Sequence, residues 1–253
     1  MKVAPGVEML ELAAELMNGP STLCPTLLMD QREVVLVDAG LPKMVSQFVE
    51  AMARAGVSLE KLTRIIITHH DLDHIGSLGE LQRAARQRIE VLSHAEEVPY
   101  IQGERRPIKM TAEMIAQMEE QMKSLPEKER QAMRSMMEGM KGQKLTVDRT
   151  LSDGEELPYC GGIRVIHTPG HTPGHICLYH PSSKTLITGD ELVVEDGKLA
   201  PAPAFINADT PMALASLKKL IRHDIANVVA YHGGLFQDNP NRRLAEIVKE
   251  LPA

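Results

Sequence analysis

The 253-residue chain holds only three cysteines, Cys24, Cys160 and Cys177, widely spaced and without a CxxC or CxxH pair. That pattern excludes a disulfide framework and a thiolate zinc knuckle and leaves buried, reduced thiols as the expectation. Cys177 sits in an apolar run and is expected in the core, the alternative being a place near metal-type side chains. No apolar run is longer than a strand, so no membrane span is expected. The stretch Met1-Lys2-Val3-Ala4-Pro5-Gly6 lacks the apolar centre of a secretory signal, and a cytoplasmic protein is expected. Basic residues never cluster beyond a few and the formal charge is −6, so the cationic surface that nucleic acid demands is missing. There is no low-complexity tract and no internal repeat. What is present is ordinary globular material, 43% hydrophobic and 25% charged. It is enough to bury a sizeable core, and a single domain over residues 1–253 is the expectation.

Along the chain, apolar runs and turn residues alternate. Leu23 to Met29 and Val34 to Val37 read as antiparallel strands around Asp30-Gln31. An amphipathic helix runs from Pro42 to Ala55 and ends at Gly56. A strand at Arg64 to Ile67, a helix from about Ile75 and a strand at Ile89 to Leu92 follow, an alternation typical of α/β layering. Residues 105–142 differ in composition. Met110, Met114, Met118 and Met122 recur every four residues, and Met133, Met136, Met137 and Met140 make a second stripe. This reads as a helical insert, serving either as core filler or as an adaptable lid over an apolar substrate. Strands return at Leu145 to Leu151, Ile163 to Ile166, Ile176 to Tyr179, Leu186 to Thr188 and Ile225 to Ala230, with helices near Pro211 to Arg222 and Pro240 to Leu251.

The chemistry concentrates at Thr68-His69-His70-Asp71-Leu72-Asp73-His74, directly behind Ile65-Ile66-Ile67. Five metal-competent side chains leave the strand within six residues. Imidazoles and carboxylates so crowded would repel or desolvate one another unless a cation neutralised them. Three later segments put a ligand-type residue in a turn just past an apolar strand: Thr168-Pro169-Gly170-His171-Thr172-Pro173-Gly174-His175, Thr188-Gly189-Asp190 and Tyr231-His232-Gly233-Gly234. His70 falls between the candidate ligands and points the other way if the backbone is extended. His175 reads as packed beside the site. His94, His167, His180 and His223 lack partners at ligand spacing.

These motifs resemble the metallo-β-lactamase-fold superfamily, whose hallmark is His-x-His-x-Asp-His followed by a His, an Asp or Cys, and a last His. The resemblance covers nearly the whole chain apart from the Met-rich insert. It implies an α/β fold, a four-layer αβ/βα sandwich with a two-metal site where the sheets meet. By position, His69, Asp71 and His171 would hold one cation, Asp73, His74 and His232 the other, and Asp190 would bridge them. Asp38, in Asp38-Ala39-Gly40, matches an early Asp-x-Gly that supports ligands. Asp71 departs from the pattern, standing where the family usually has its second His. The added carboxylate makes manganese or iron plausible beside the family's usual zinc.

A pair of divalent cations lowers the pKa of a bridging water and supplies hydroxide as nucleophile. The resemblance therefore implies a metal-dependent hydrolase, with Asp73 and Asp190 best placed to pass a proton. An Asp at 190, where β-lactam-hydrolysing members carry Cys, is similar to glyoxalase II, lactonases and phosphodiesterases of this fold. A small carboxylic ester, lactone or thioester is the expected substrate. The Tyr that follows the bridging Asp in acyl-homoserine lactonases is missing, Glu191-Leu192 standing there instead. The alternatives are a diiron redox protein, resembling the flavodiiron core, and a non-catalytic metal-binding scaffold with its Met stripes as the interface of a homodimer.

Overall fold

A computed structural model describes residues 1–16, 19–111, 116–117, 120, 122–127, 130–131 and 145–251. Two sheets pack face to face. The amino-terminal one is seven-stranded and includes, side by side, Thr26–Met29, Val34–Val37, Arg64–Ile67, Glu90–His94 and Arg149–Leu151. The last four of these run parallel. The other is six-stranded and includes Ile163–His167, Ile176–His180, Thr185–Ile187 and Asn227–Ala230.

The two-residue period of each strand sorts the core into layers. Val35, Val37, Ile66 and Leu92 face the second sheet and meet Val165, Ile176, Leu178 and Ile187. Their neighbours Leu36, Ile65, Ile67 and Val91 face outward, under Phe48 and Met52 of the helix Val45–Arg54 and Leu78 and Leu81 of the helix Leu78–Ala84. On the far side Ile166, Leu186 and Val228 are covered by Leu217 and Leu220 of Thr210–Leu220 and by Leu244 and Ile247 of Pro240–Glu250. The result is helix, sheet, sheet, helix, as expected. Cys177 lies in this outer core, and all three thiols are buried and free.

The expected strand at Leu145 to Leu151 is shorter, Arg149–Leu151. The hairpin Leu192–Glu195 with Lys198–Pro201 is an element the sequence reading did not separate from the Asp190 turn. The Met-rich stripes at 114, 118, 133, 136, 137 and 140 lie outside the described residues.

The sheets are tied together at one edge. Cys24 donates its N–H to the Tyr231 carbonyl at 2.9 Å, and Ile176 donates to the Thr68 carbonyl at 3.2 Å. Into that edge run the carboxyl ends of five strands, which deliver Asp38, the 68–74 segment, the 168–175 loop, Asp190 and His232.

Candidate metal centre

Extended backbone up to Asp71, at φ −64 and ψ 149, sends His69 and Asp71 to one side and His70 to the other. A short helix, Leu72–Ile75, then turns Asp73 and His74 back toward the same space. His171 comes from the Pro-Gly loop. Gly170 has a φ of +136 and lies so close to the helix Thr210–Leu220 that a Cβ there would sit 2.1 Å from the Ala213 nitrogen, so only glycine lets that loop close.

All seven candidate ligands meet. His69, Asp71 and His171 form one corner and Asp73, His74 and His232 a second, each with its donor atoms within 4.8 Å of one another. Asp190 spans them. Its Oδ1 lies 3.3 Å from His74 Nε2 and 3.5 Å from His232 Nε2, while its Oδ2 lies 3.4 Å from His171 Nε2.

The hydrogen bonds behind the rings decide which nitrogen faces inward. The buried Asp38 carboxylate accepts from the Thr68 N–H at 2.8 Å, from the Thr68 hydroxyl and from His74 Nδ1 at 2.9 Å. Asp38 itself sits at a φ of +67, a strained position for a side-chain-bearing residue that these three bonds hold. With its proton committed to Asp38, Thr68 Oγ1 accepts from His69 Nδ1 at 3.0 Å. His171 Nδ1 donates to Asn207 Oδ1 at 3.2 Å. Each of these three rings therefore turns a bare Nε2 into the site, the tautomer a ligand needs.

Two of the inward atoms are buried without any hydrogen-bond partner, His74 Nε2 and Asp190 Oδ1. A bare imidazole nitrogen set against a carboxylate oxygen in a dry site is costly, and a positive charge between them, a proton on the ring or a metal cation in its place, would satisfy both. The donor set suits one: imidazole nitrogens and carboxylate oxygens at one concave edge fit zinc, manganese or iron.

Burial drives the His69 ring well below the usual histidine range, helped by His74 and His171. Burial also opposes charge on His74 and His232, but the surrounding carboxylates win. Asp190, Asp38 and Asp73 hold His74 well above its ordinary value, and Asp190 and Asp73 hold His232 at about 10. Burial would raise Asp190, yet His232 and His74 keep it well below the carboxylate range.

Several residues around the site carried no ligand signal in sequence. Glu97 is wholly buried and accepts from the His70 N–H at 2.9 Å, the His70 ring, Thr172 Oγ1 at 2.7 Å and Gly174 N–H at 2.7 Å. It locks the 68–74 and 168–175 loops together, and explains why His70 turns away. His175 accepts the Asp190 N–H on Nε2 at 3.1 Å and donates to Thr168 Oγ1 from Nδ1 at 2.8 Å, fixing Asp190 from behind. Tyr231 donates to the Asp73 carbonyl at 2.5 Å and lays its ring on His74. Lys109, a few residues from Arg105 and Arg106 in sequence, reaches into the first corner: its Nζ lies 2.5 Å from Asp71 Oδ2 and 2.7 Å from His171 Nε2.

A profile of the metallo-β-lactamase superfamily matches residues 23–232, from the strand before Cys24 to the last candidate ligand. The chain belongs to that superfamily. With membership comes the reaction class, metal-dependent hydrolysis. It is 28% identical over 214 residues to a probable metallo-hydrolase, YflN, of Bacillus subtilis (strain 168), covering 79% of this chain and 75% of the relative. Over 47 residues, 18% of each chain, it is 45% identical to a hydroxyacylglutathione hydrolase of Brucella anthropi. In fold it is similar to the metallo-β-lactamase family protein TTHA1429 of Thermus thermophilus, with a TM-score of 0.70 and 24% identity, over 97% of this chain and 79% of that one. No helix among the described residues is long and apolar enough to cross a membrane.

Proposed function

We propose that this metallo-hydrolase cleaves a small acyl substrate, a carboxylic ester, lactone or thioester, using divalent cation bound in the centre that His69, Asp71, Asp73, His74, His171, Asp190 and His232 enclose. The observation that carries the reading is the pair of buried polar atoms without a hydrogen bond, His74 Nε2 and Asp190 Oδ1, facing each other among five further ligand-type side chains. When bound, the cation would supply Lewis acidity and an activated water. The remaining work falls to the chain. Asp38 and Thr68 keep His74 and His69 in the ligand tautomer, and His175 and the Gly189 turn hold Asp190 so that its two oxygens serve different corners. Asp73 is one-fifth exposed, unlike the buried Asp190, and is the carboxylate able to take a proton from the attacking water and return it to a departing oxygen or sulfur. The short likeness to a hydroxyacylglutathione hydrolase favours a thioester within this class. The test is elemental analysis of the chain purified without chelator, followed by esters, lactones, thioesters and phosphodiesters. Bound metal with turnover of one acyl class supports the reading; a chain without metal, or one that turns over only phosphodiesters, refutes it.

A further inference from the structure

The first corner is not built like the second. His171 Nε2 lies 3.1 Å from both His69 Nε2 and Asp71 Oδ2. With the Nδ1 protons of both rings committed to Thr68 and Asn207, these are three acceptor atoms pressed together. Such a cluster needs a positive group among them, and Lys109 provides it at 2.5 Å from Asp71 and 2.7 Å from His171. Lys109 gives Asp71 and His171 a charged donor, whereas the second corner leaves His74 Nε2 and Asp190 Oδ1 without a hydrogen bond. An ion bound by Asp71 and His171 at the usual ligand lengths of about 2.0–2.2 Å would occupy nearly the volume of that ammonium, so the two exclude each other.

The placement of Lys109 is also built into the fold. The adjoining Ile108 donates its N–H to His70 Nε2 at 3.4 Å; the other face of His70 is held by Glu97, and its ring stacks on Tyr100 at 4.3 Å. The same buried carboxylate therefore anchors the strand-end motif, the Pro-Gly loop and the segment that carries Lys109. The lysine is three-quarters buried at the side chain, which a solvated surface charge would not be.

We propose that Lys109 is the first cation of this centre, and that the chain takes a single divalent ion, at the corner of Asp73, His74 and His232 with Asp190. This rests on the metallo-hydrolase reading above and deepens it. Charge balances: three inward carboxylates, Asp71, Asp73 and Asp190, face one dication and one ammonium. The extra carboxylate at 71 and the lysine at 109 make a matched pair, each explaining why the other is tolerated in a largely buried site.

The experiment is a zinc titration of chelator-stripped protein followed by gel filtration and elemental analysis, on the wild type, Lys109→Met and Lys109→Arg, with circular dichroism to confirm that each is folded. Methionine keeps the length of the stem and removes the charge. The expected stoichiometry is one ion per chain for the wild type and Lys109→Arg, and two for Lys109→Met with a second binding step. Two ions in the wild type, or one in both the wild type and Lys109→Met, overturns the role of Lys109 while leaving a metal centre in place. No ion in any variant overturns the metallo-hydrolase reading itself and this inference with it.

Discussion

The two corners of the centre draw on the same kinds of donor, imidazole and carboxylate, and share Asp190, yet they are completed differently. At one, a lysine that belongs to the chain sits against two of the three acceptors, Asp71 and His171. At the other, His74 Nε2 and Asp190 Oδ1 are buried without a hydrogen bond, 3.3 Å apart, with His232 and Asp73 beside them. The difference teaches that a count of ligand-type residues does not fix a count of ions, because a tethered ammonium can meet the same electrostatic demand. It also separates what each corner should feel when the site is disturbed.

The largest effect is expected from Asp190→Asn, because that side chain alone serves both corners. The variant should fold, lose its bound ion and lose turnover by on the order of 10³ or more. Elemental analysis beside a hydrolysis assay checks it, and retention of both would mean that the shared carboxylate holds nothing. Next comes Asp38→Asn, which acts directly on His74 but reaches His69 only through Thr68. Loss of the carboxylate frees the tautomer of His74, and ion affinity should fall by about 10–100-fold, as is usual when the group behind a ligand is removed. A chelator competition titration gives the number. An unchanged affinity would show that the second corner does not need its support.

The corners should also respond to pH in opposite directions when metal is absent. His232 has a folded value of about 10 against an ordinary 6.5, with burial outweighed by Asp190 and Asp73. A raised value means stability fully present below about 6.5 that is lost as pH climbs toward 10. Asp71 is held well below its ordinary 3.8, burial being outweighed by the His171 and His69 rings set against it and by the Lys109 charge. A depressed value means stability present above about 3.8 that is lost as pH falls further. Urea midpoints in chelator should therefore show the penalty of His232→Ala shrinking from pH 6 to pH 10, and that of Asp71→Asn shrinking only on acidification. Parallel profiles for the two variants would erase the distinction between the corners.

Much of this was legible in the sequence because the ligands sit where strand ends put them. Apolar runs such as Ile65-Ile66-Ile67 located the strands, and the turn residues after them, matched to the family's motif, pointed to His69, Asp71, Asp73, His74, His171, Asp190 and His232, which do converge. The layers were implied by the family resemblance, and the strand alternation realises them, Val35 and Leu36 facing opposite cores. What stayed hidden were residues whose meaning comes from the fold alone. Glu97 is one acid among many in sequence, and only the packing of two loops around it makes it a buried hub. Lys109 lies beside Arg105 and Arg106, where composition suggests solvent, and it takes the His70 to Ile108 bond to swing it inward. No local pattern encodes a contact 38 residues away.

The smallest expected effect is also the most discriminating between one ion and two. Asn207 touches only the first corner, where its Oδ1 accepts from His171 Nδ1 and leaves Nε2 bare for its inward partner. In Asn207→Ala that proton can move to Nε2, which then neither accepts from Lys109 nor binds metal. If Lys109 is the resident cation, the variant loses one hydrogen bond at a partly buried site, about 1 kcal/mol of stability, and the ion at Asp73, His74 and His232 is held as before. If instead a second ion sat between Asp71 and His171, the variant would bind that ion about 10-fold more weakly. An isotherm unchanged by Asn207→Ala, set against a small downward shift in urea midpoint, is the expected pair of results. A weakened second step would return the first corner to metal and leave Lys109 without its post.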